Sequence, residues 1–276
     1  MGGYHLRVDL QPGLNVIRQA RHEAGELLEF WLWRALASGE QVQLGGEEKE
    51  FAIVVMSGLV DVAAGGEVFR DLGGRTSVFS GVGTGVFVPP GHPFTIVARS
   101  RCEVAICAAP SDAEGAPVVI GPADVAVRTV GRWNWTRDVH TIIGPNVKHA
   151  RRLVVGETYN LPGNWSSYPP HRHIEDNYPF EVRMEEVYHF RVNPAGGFGV
   201  QCLYNDDFSL EEAYVVRDGD TVVIPPAYHP VAAAPGYQVY YLWMLAGYAD
   251  RRLKPYDDPA HAWVHAAGEM ARGMGF

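Results

Sequence analysis

Excess cations, paired cysteines and long apolar runs are all missing from this sequence. Among its 276 residues, 23 Lys and Arg stand against 32 Asp and Glu, a formal net charge of −9. The longest basic runs are pairs such as Arg151-Arg152 and Arg251-Arg252. A duplex-binding surface needs clustered cations to displace counterions, so nucleic acid is excluded as a partner and an anionic membrane surface is disfavoured. The longest apolar stretch, from Phe51 to Ala64, is interrupted by Ser57, Gly58 and Asp61. It falls short of the roughly 20 residues a spanning helix requires. No basic segment followed by an apolar one opens the chain, and Leu6 stands where a myristoylation signal wants Ser or Thr, so the expected location is the cytoplasm. Cys102, Cys107 and Cys202 are an odd set without C-x-x-C spacing, which argues against a disulfide framework and a thiolate zinc site. They read as reduced, small core residues.

What is present is β-rich. The 31 glycines and 19 prolines punctuate short runs such as Phe51–Met56, Val86–Val88, Arg152–Val155, Val187–Val192 and Val239–Leu245, the pattern of an all-β sandwich or barrel. Two segments read as helices, His22 to Ala37 and Pro259 to Arg272. The stretch from Ala109 to Pro122 turns to Pro, Ala, Gly, Ser and Asp and reads as a connection. It predicts a boundary near residue 125, with domains 1–125 and 126–276. Gly81-Val-Gly-Thr-Gly85 precedes a strand rather than a helix and is a turn, not a dinucleotide fingerprint. Gly85–Pro93 resembles Thr221–Pro230, with Pro89 and Pro225 separated by 136 positions; the same offset pairs Glu50 with Glu186, each opening a strand. Two matches in one register point to a duplicated β-domain.

Pro169-Pro170-His171-Arg172-His173 carries the chemistry. Residues two apart in a strand point the same way, so His171 and His173 can turn both imidazoles to one centre. Glu185 and Glu186 open a later strand, and His229 follows the Pro225-Pro226 turn. Three neutral imidazoles and a carboxylate suit one borderline divalent cation, Zn, Mn, Fe, Co or Ni, with positions left for water or substrate. Glu175, Asp176 and Glu181 compete for the carboxylate place. Glu186 is preferred because its repeat partner is also Glu, whereas Glu185 would face the other way. His92 shares the turn context in the N-terminal half without an upstream His-x-His and reads as a turn residue.

These residues resemble the cupin motifs: Gly163, His171, His173 and Glu186 answer to the first, and Gly219, Pro225 and His229 to the second. Ala227 replaces a motif glycine, His229 comes one residue early, and twelve residues separate His173 from Glu186 where three or four are usual. Asn164–His173, Glu185–Tyr188, Asn193-Pro194, Asp218–Asp220, Tyr228–Pro230 and Tyr240–Leu242 are together similar to the 5-deoxy-glucuronate isomerases of myo-inositol catabolism, relatives of the 4-deoxy-hexosulose-uronate ketol-isomerases. The resemblance is densest from Arg152 to Gly247. It implies a duplicated cupin, or bicupin, whose C-terminal barrel alone holds metal, and an aldose–ketose isomerisation of an open-chain deoxy-uronate. The N-terminal barrel is then expected to lack ligands.

Such a reaction moves a proton between adjacent carbons through an enediolate, so a metal and a base are both needed. Glu157, in the strand feeding the His-x-His, and Glu175 are the candidate bases. Tyr188 shares a face with Glu186 and can donate to a substrate hydroxyl. Gln201 and Tyr241 are candidate substrate contacts on neighbouring strands. The substrate carboxylate needs a cation, for which Arg152, Lys148, Arg172 and Arg183 lie near in sequence; Arg172 points away from its flanking histidines. Two other functions fit the same ligands: an iron-dependent dioxygenase, and a non-catalytic sugar-binding module. Open sheet edges favour a homo-oligomer.

Overall fold

The computed structural model describes residues 3–20, 25–46 and 48–274. Almost every regular element is an antiparallel strand. In the N-terminal part, a six-stranded sheet runs in the order Val118–Ile120, Thr84–Val88, Lys49–Ser57, Cys102–Pro110, Glu29–Ala35, Gly13–Arg18. It faces a four-stranded sheet of Gln41–Leu44, Phe94–Ala98, Leu59–Ala64 and Glu67–Gly73. Trp33, Phe51, Ile53, Val62, Val86, Phe94 and Ile106 fill the space between them. The C-terminal part repeats the plan. A seven-stranded sheet runs His5–Leu6, Thr221–Ile224, Met184–Asn193, Gln238–Gly247, Leu153–Asn160, Arg137–Ile143, Ala126–Val130. It faces Trp165–Ser166, Val231–Ala233, Gly199–Tyr204 and Glu211–Val216, and encloses Phe190, Leu203, Val216, Val222, Val231, Tyr241 and Trp243.

The two large sheets also pack back to back. Phe30, Leu32, Val54, Phe87, Ile142, Val155, Val187, Leu242 and Met244 form a third core between them. Alternate residues of one strand therefore enter different cores, as with Ile53 and Val54. Strands buried on both faces need apolar residues at every position, which accounts for continuous runs such as Phe51–Met56 and Val239–Leu245. The strands before and after residue 125 lie in separate large sheets except for His5–Leu6, which pairs with Thr221 and Val222 in the C-terminal sheet.

The helix expected over His22–Ala37 is corrected. Residues 21–24 lie outside the described set, and Glu29–Ala35 is a strand. Its apolar residues follow a period of two: Phe30 and Leu32 enter the core between the sheets, while Trp33 and Ala35 enter the N-terminal barrel. The expected C-terminal helix forms as Trp263–Gly273.

The duplication extends to matched clamps, and they shift the repeat by one residue. Glu50 accepts the backbone N–H groups of Arg151 (2.9 Å), Arg152 (2.8 Å) and Leu153 (2.6 Å), where the first long C-terminal strand begins. Glu185 accepts those of Glu26, Leu27 and Leu28, ahead of the Glu29–Ala35 strand. Glu50 thus corresponds to Glu185, not Glu186. Strand pairing agrees, since Phe51 stands opposite Val88 as Glu186 stands opposite Ile224. In the N-terminal barrel, the place of Glu186 is taken by Phe51, packed edge-on against Phe94 at 5.1 Å.

Candidate active site

Period-two geometry delivers the histidines. His171–Arg172 forms a short strand with Tyr256–Asp257, and His171 and His173 turn to one side. Arg172 turns to the other, where it pairs with Asp206 and Glu181 and lies over the ring of Tyr256. His229 follows the Pro-Pro turn. Its backbone carbonyl accepts a 2.8 Å hydrogen bond from Gln201 Nε2. The ring nitrogens of His171, His173 and His229 come within 4.8 Å of one another.

Glu186 completes the group. Its Oε2 lies 3.0 Å from His229 Nε2 and 3.7 Å from His173 Nε2. The long insertion before it loops away and satisfies its own acids: Glu181 accepts the N–H groups of Ile174 and Glu175, and Asp176 accepts that of Arg183. Glu185 faces outward into its clamp, as expected.

This donor set fits a metal on internal grounds. His229 Nδ1 lies 3.1 Å from the Ala227 carbonyl. A carbonyl only accepts, so Nδ1 carries the proton and Nε2 presents a lone pair. That lone pair faces a carboxylate oxygen, and neither atom has a hydrogen-bond partner despite burial. Two buried acceptors in contact call for a cation between them. Burial also favours neutral His171 and His173 rings, pushing His173 down to about 4 and His171 well below the ordinary histidine value. His171, His173 and His229 could therefore hold a metal ion, with Glu186 as an adjoining oxygen donor.

His171 and His173 open onto a cavity of about 240 Å³ whose walls include Arg137, Thr158, Ser167, Tyr188, Tyr241 and Trp243. Tyr188 and Tyr241 stack at 4.4 Å between centroids. Ser167 Oγ lies 3.0 Å from the Tyr188 hydroxyl and 3.3 Å from that of Tyr241. Ser167 adopts a left-handed backbone, φ 48°, uncommon for a residue with a side chain. Burial raises both phenols, so each keeps its proton and can donate.

Other expected site residues lie elsewhere. Glu157 projects from the opposite face of its strand into the core between the sheets, where it pairs with Arg75 and accepts the Tyr240 hydroxyl at 2.9 Å. Thr158, its neighbour, lines the cavity instead. Glu175 is largely exposed and pairs with Arg172 at 3.6 Å. Arg152 donates to the carbonyls of Pro110, Gly247 and Tyr248, across the junction of the two halves. Gln201 supports the backbone of His229 rather than lining the cavity. Arg183 stacks on Tyr248 beside a second, smaller cavity at the same histidines. Arg137 and Ser167 were not anticipated. Arg137 sits two strands from Tyr241 across the sheet, and the available signal was its two-residue spacing from Val139, which faces the same cavity.

A family model described as KduI/IolB family matches residues 10–264. The 5-deoxy-glucuronate isomerase of Geobacillus kaustophilus is 38% identical over 252 residues, covering 91% of this chain and 90% of that protein. The protein of the same name from Lacticaseibacillus casei is 39% identical over 271 residues, with 95% and 97% covered. Among solved structures, an IolB-like protein from Salmonella typhimurium LT2 superposes with a TM-score of 0.89 at 32% identity, covering 95% of this chain and 99% of that one. The oxalate decarboxylase of Lactobacillus farciminis, at 14% identity and a TM-score of 0.65, covers 99% and 92% and shares the duplicated cupin fold.

Proposed function

Because the chain belongs to the KduI/IolB family, we propose that it is the isomerase that converts 5-deoxy-glucuronate to 5-keto-2-deoxy-gluconate in inositol catabolism. The observation that carries this reading is the convergence of three imidazoles, those of His173 and His229 buried, with one carboxylate beside a cavity lined by proton-bearing hydroxyls. His171, His173, His229 and Glu186 would hold one divalent ion, among Zn, Mn, Fe, Co and Ni, borne by the 126–276 unit. When bound, such an ion stabilises the two adjacent oxygens on which an enediolate spreads its charge.

The protein's own groups supply the rest. Glu157 and Glu175 stand outside the cavity, so we assign the proton to neither. Tyr188 bears its proton within reach of Ser167 Oγ and of the Glu186 carboxylate. It is the group we assign to hold and return a proton at the substrate oxygens, with Tyr241 and Ser167 fixing its orientation. The buried apolar side chains of Trp243 and Leu245 limit water at that part of the wall. Three unpaired thiols and open strands at the sheet margins support a cytoplasmic, self-associating enzyme. Among the described residues, no helix is long and apolar enough to cross a membrane.

The test is an NMR time course with 5-deoxy-glucuronate in D₂O under anaerobic conditions. Aldehyde-derived signals should give way to a ketone, with deuterium entering at the carbon next to it. An unchanged spectrum with metal-loaded protein would overturn the reading. His171→Ala should lose both bound metal and turnover while keeping the wild-type circular dichroism spectrum; full turnover by that variant would remove the metal from the reaction.

A further inference from the structure

Among the described residues, Arg137 is the one arginine or lysine on the wall of the larger cavity at the histidines. It begins the Arg137–Ile143 strand, and the pleat turns it inward with Val139 while Asp138 and His140 face the other way. Its Nη1 donates to the carbonyls of Trp135 at 3.1 Å and Tyr168 at 3.0 Å, which fixes the guanidinium plane. No carboxylate among the described residues forms an ion pair with it, and its Nε and Nη2 have no acceptor there. Arg172 is engaged by Asp206 and Glu181, Arg75 by Glu157 and Arg152 by backbone carbonyls, while Arg183 stacks on Tyr248 at the second, smaller cavity rather than this one. The side chain is partly buried, and desolvation lowers the Arg137 pKa against the opposing pull of Tyr241, Tyr188 and Asp257. A guanidinium so placed is costly without an anion and offers a planar fork that fits a carboxylate in two-point contact.

We propose that Arg137 is the carboxylate anchor of this cavity, holding the acid end of an open-chain sugar acid so that its carbonyl end lies at the histidines. The assignment rests on the isomerase reading and adds the source of its selectivity for an acid over a neutral sugar. A fixed cation and the histidine group on the wall of one cavity also set the direction in which the chain lies. An enzyme of net charge −9 repels an acidic substrate overall, so a local fixed cation is the element that reverses that repulsion at the site.

The experiment compares 5-deoxy-glucuronate with 5-deoxy-glucose, in which an alcohol replaces the carboxylate, on wild type, Arg137→Gln and Arg137→Lys. Loss of a charged two-point contact should lower kcat/KM for the acid by about 10²-fold in Arg137→Gln, mainly through KM. The value for the neutral sugar should stay level, so the preference for the acid collapses, and Arg137→Lys should fall between. Metal content should be unchanged in all three. Equal losses for acid and neutral sugar, or an unchanged preference, would overturn the assignment. Calorimetric binding of D-glucuronate gives an independent reading. Binding that is weakened in Arg137→Gln upholds the anchor even where wild type turns over neither sugar, an outcome that would refute the isomerase instead. Binding equal in wild type and variant refutes the anchor.

Discussion

Imidazoles that hold a metal must be neutral, oriented and close together, and each requirement left a different trace in the amino-acid order. Orientation of His171 and His173 follows from their spacing of two, and the Pro225-Pro226 turn announces His229. The facing of the neighbouring Leu153–Asn160 strand left no such trace. Both faces of the Leu153–Asn160 strand are buried, so its hydrophobic pattern does not distinguish the barrel interior from the core between the sheets. Glu157 and Thr158 were therefore interchangeable in sequence and occupy opposite sides in space. Tyr188, two residues from Glu186, was legible because the carboxylate defines the inner face. Replacing it by Phe keeps the ring stacked on Tyr241 and removes only the hydroxyl beside Ser167. Tyr188→Phe should lower kcat by about 10²–10⁴-fold, the range for a lost proton-transfer group, with bound metal unchanged. Steady-state kinetics alongside metal analysis checks this, and a wild-type kcat would assign the proton to another group.

Strands were legible where Gly and Pro bracket β-branched residues and illegible where aromatic residues crowd without punctuation. Glu29–Ala35 contains two tryptophans, a phenylalanine and a leucine, and such a run satisfies helical and extended patterns alike until its partners are known. Tertiary pairing with Cys102–Pro110 and Gly13–Arg18 decides it. Register was misread for a related reason. A one-residue slip reverses every side chain of a strand, and matching Glu50 to Glu186 instead of Glu185 is such a slip, forced by a repeat offset that changes between consecutive strands. The corrected match makes Glu50 a fastener: a buried carboxylate accepting three successive backbone N–H groups and the Ser111 hydroxyl. Glu50→Ala would leave those donors without an acceptor at the start of the Leu153–Asn160 strand. Unsatisfied buried donors cost about 1–3 kcal/mol each, so urea unfolding should show a loss of about 3 kcal/mol or more. A change within about 0.5 kcal/mol, the range of ordinary surface substitutions, would mean that water replaces the clamp.

At the scale of the molecule, the histidine cavity lies in one half and the other half supplies a wall behind its sheet. The seven-stranded sheet bears the histidine cavity on one face and the N-terminal sheet on the other, so the cavity's floor is only as rigid as the core beneath it. Arg75, from the N-terminal half, reaches across that core to Glu157, and the Tyr159 and Tyr240 hydroxyls donate to the same carboxylate at 3.2 and 2.9 Å. The pair is almost wholly removed from water. Removing one partner of a buried pair leaves an uncompensated charge, which typically costs about 3–5 kcal/mol. Glu157→Gln keeps the shape and abolishes the charge, so Arg75 is left without its counterion. The variant should unfold at markedly lower urea concentration, yet its folded fraction should bind metal and turn over as the wild type does, because the altered side chain lies behind the sheet. A base acting within the cavity predicts the reverse, near-native stability with a loss of about 10²–10⁴-fold in kcat. Unfolding curves and kinetics on one preparation separate the two outcomes, and the second would return Glu157 to the reaction and require its strand to turn over.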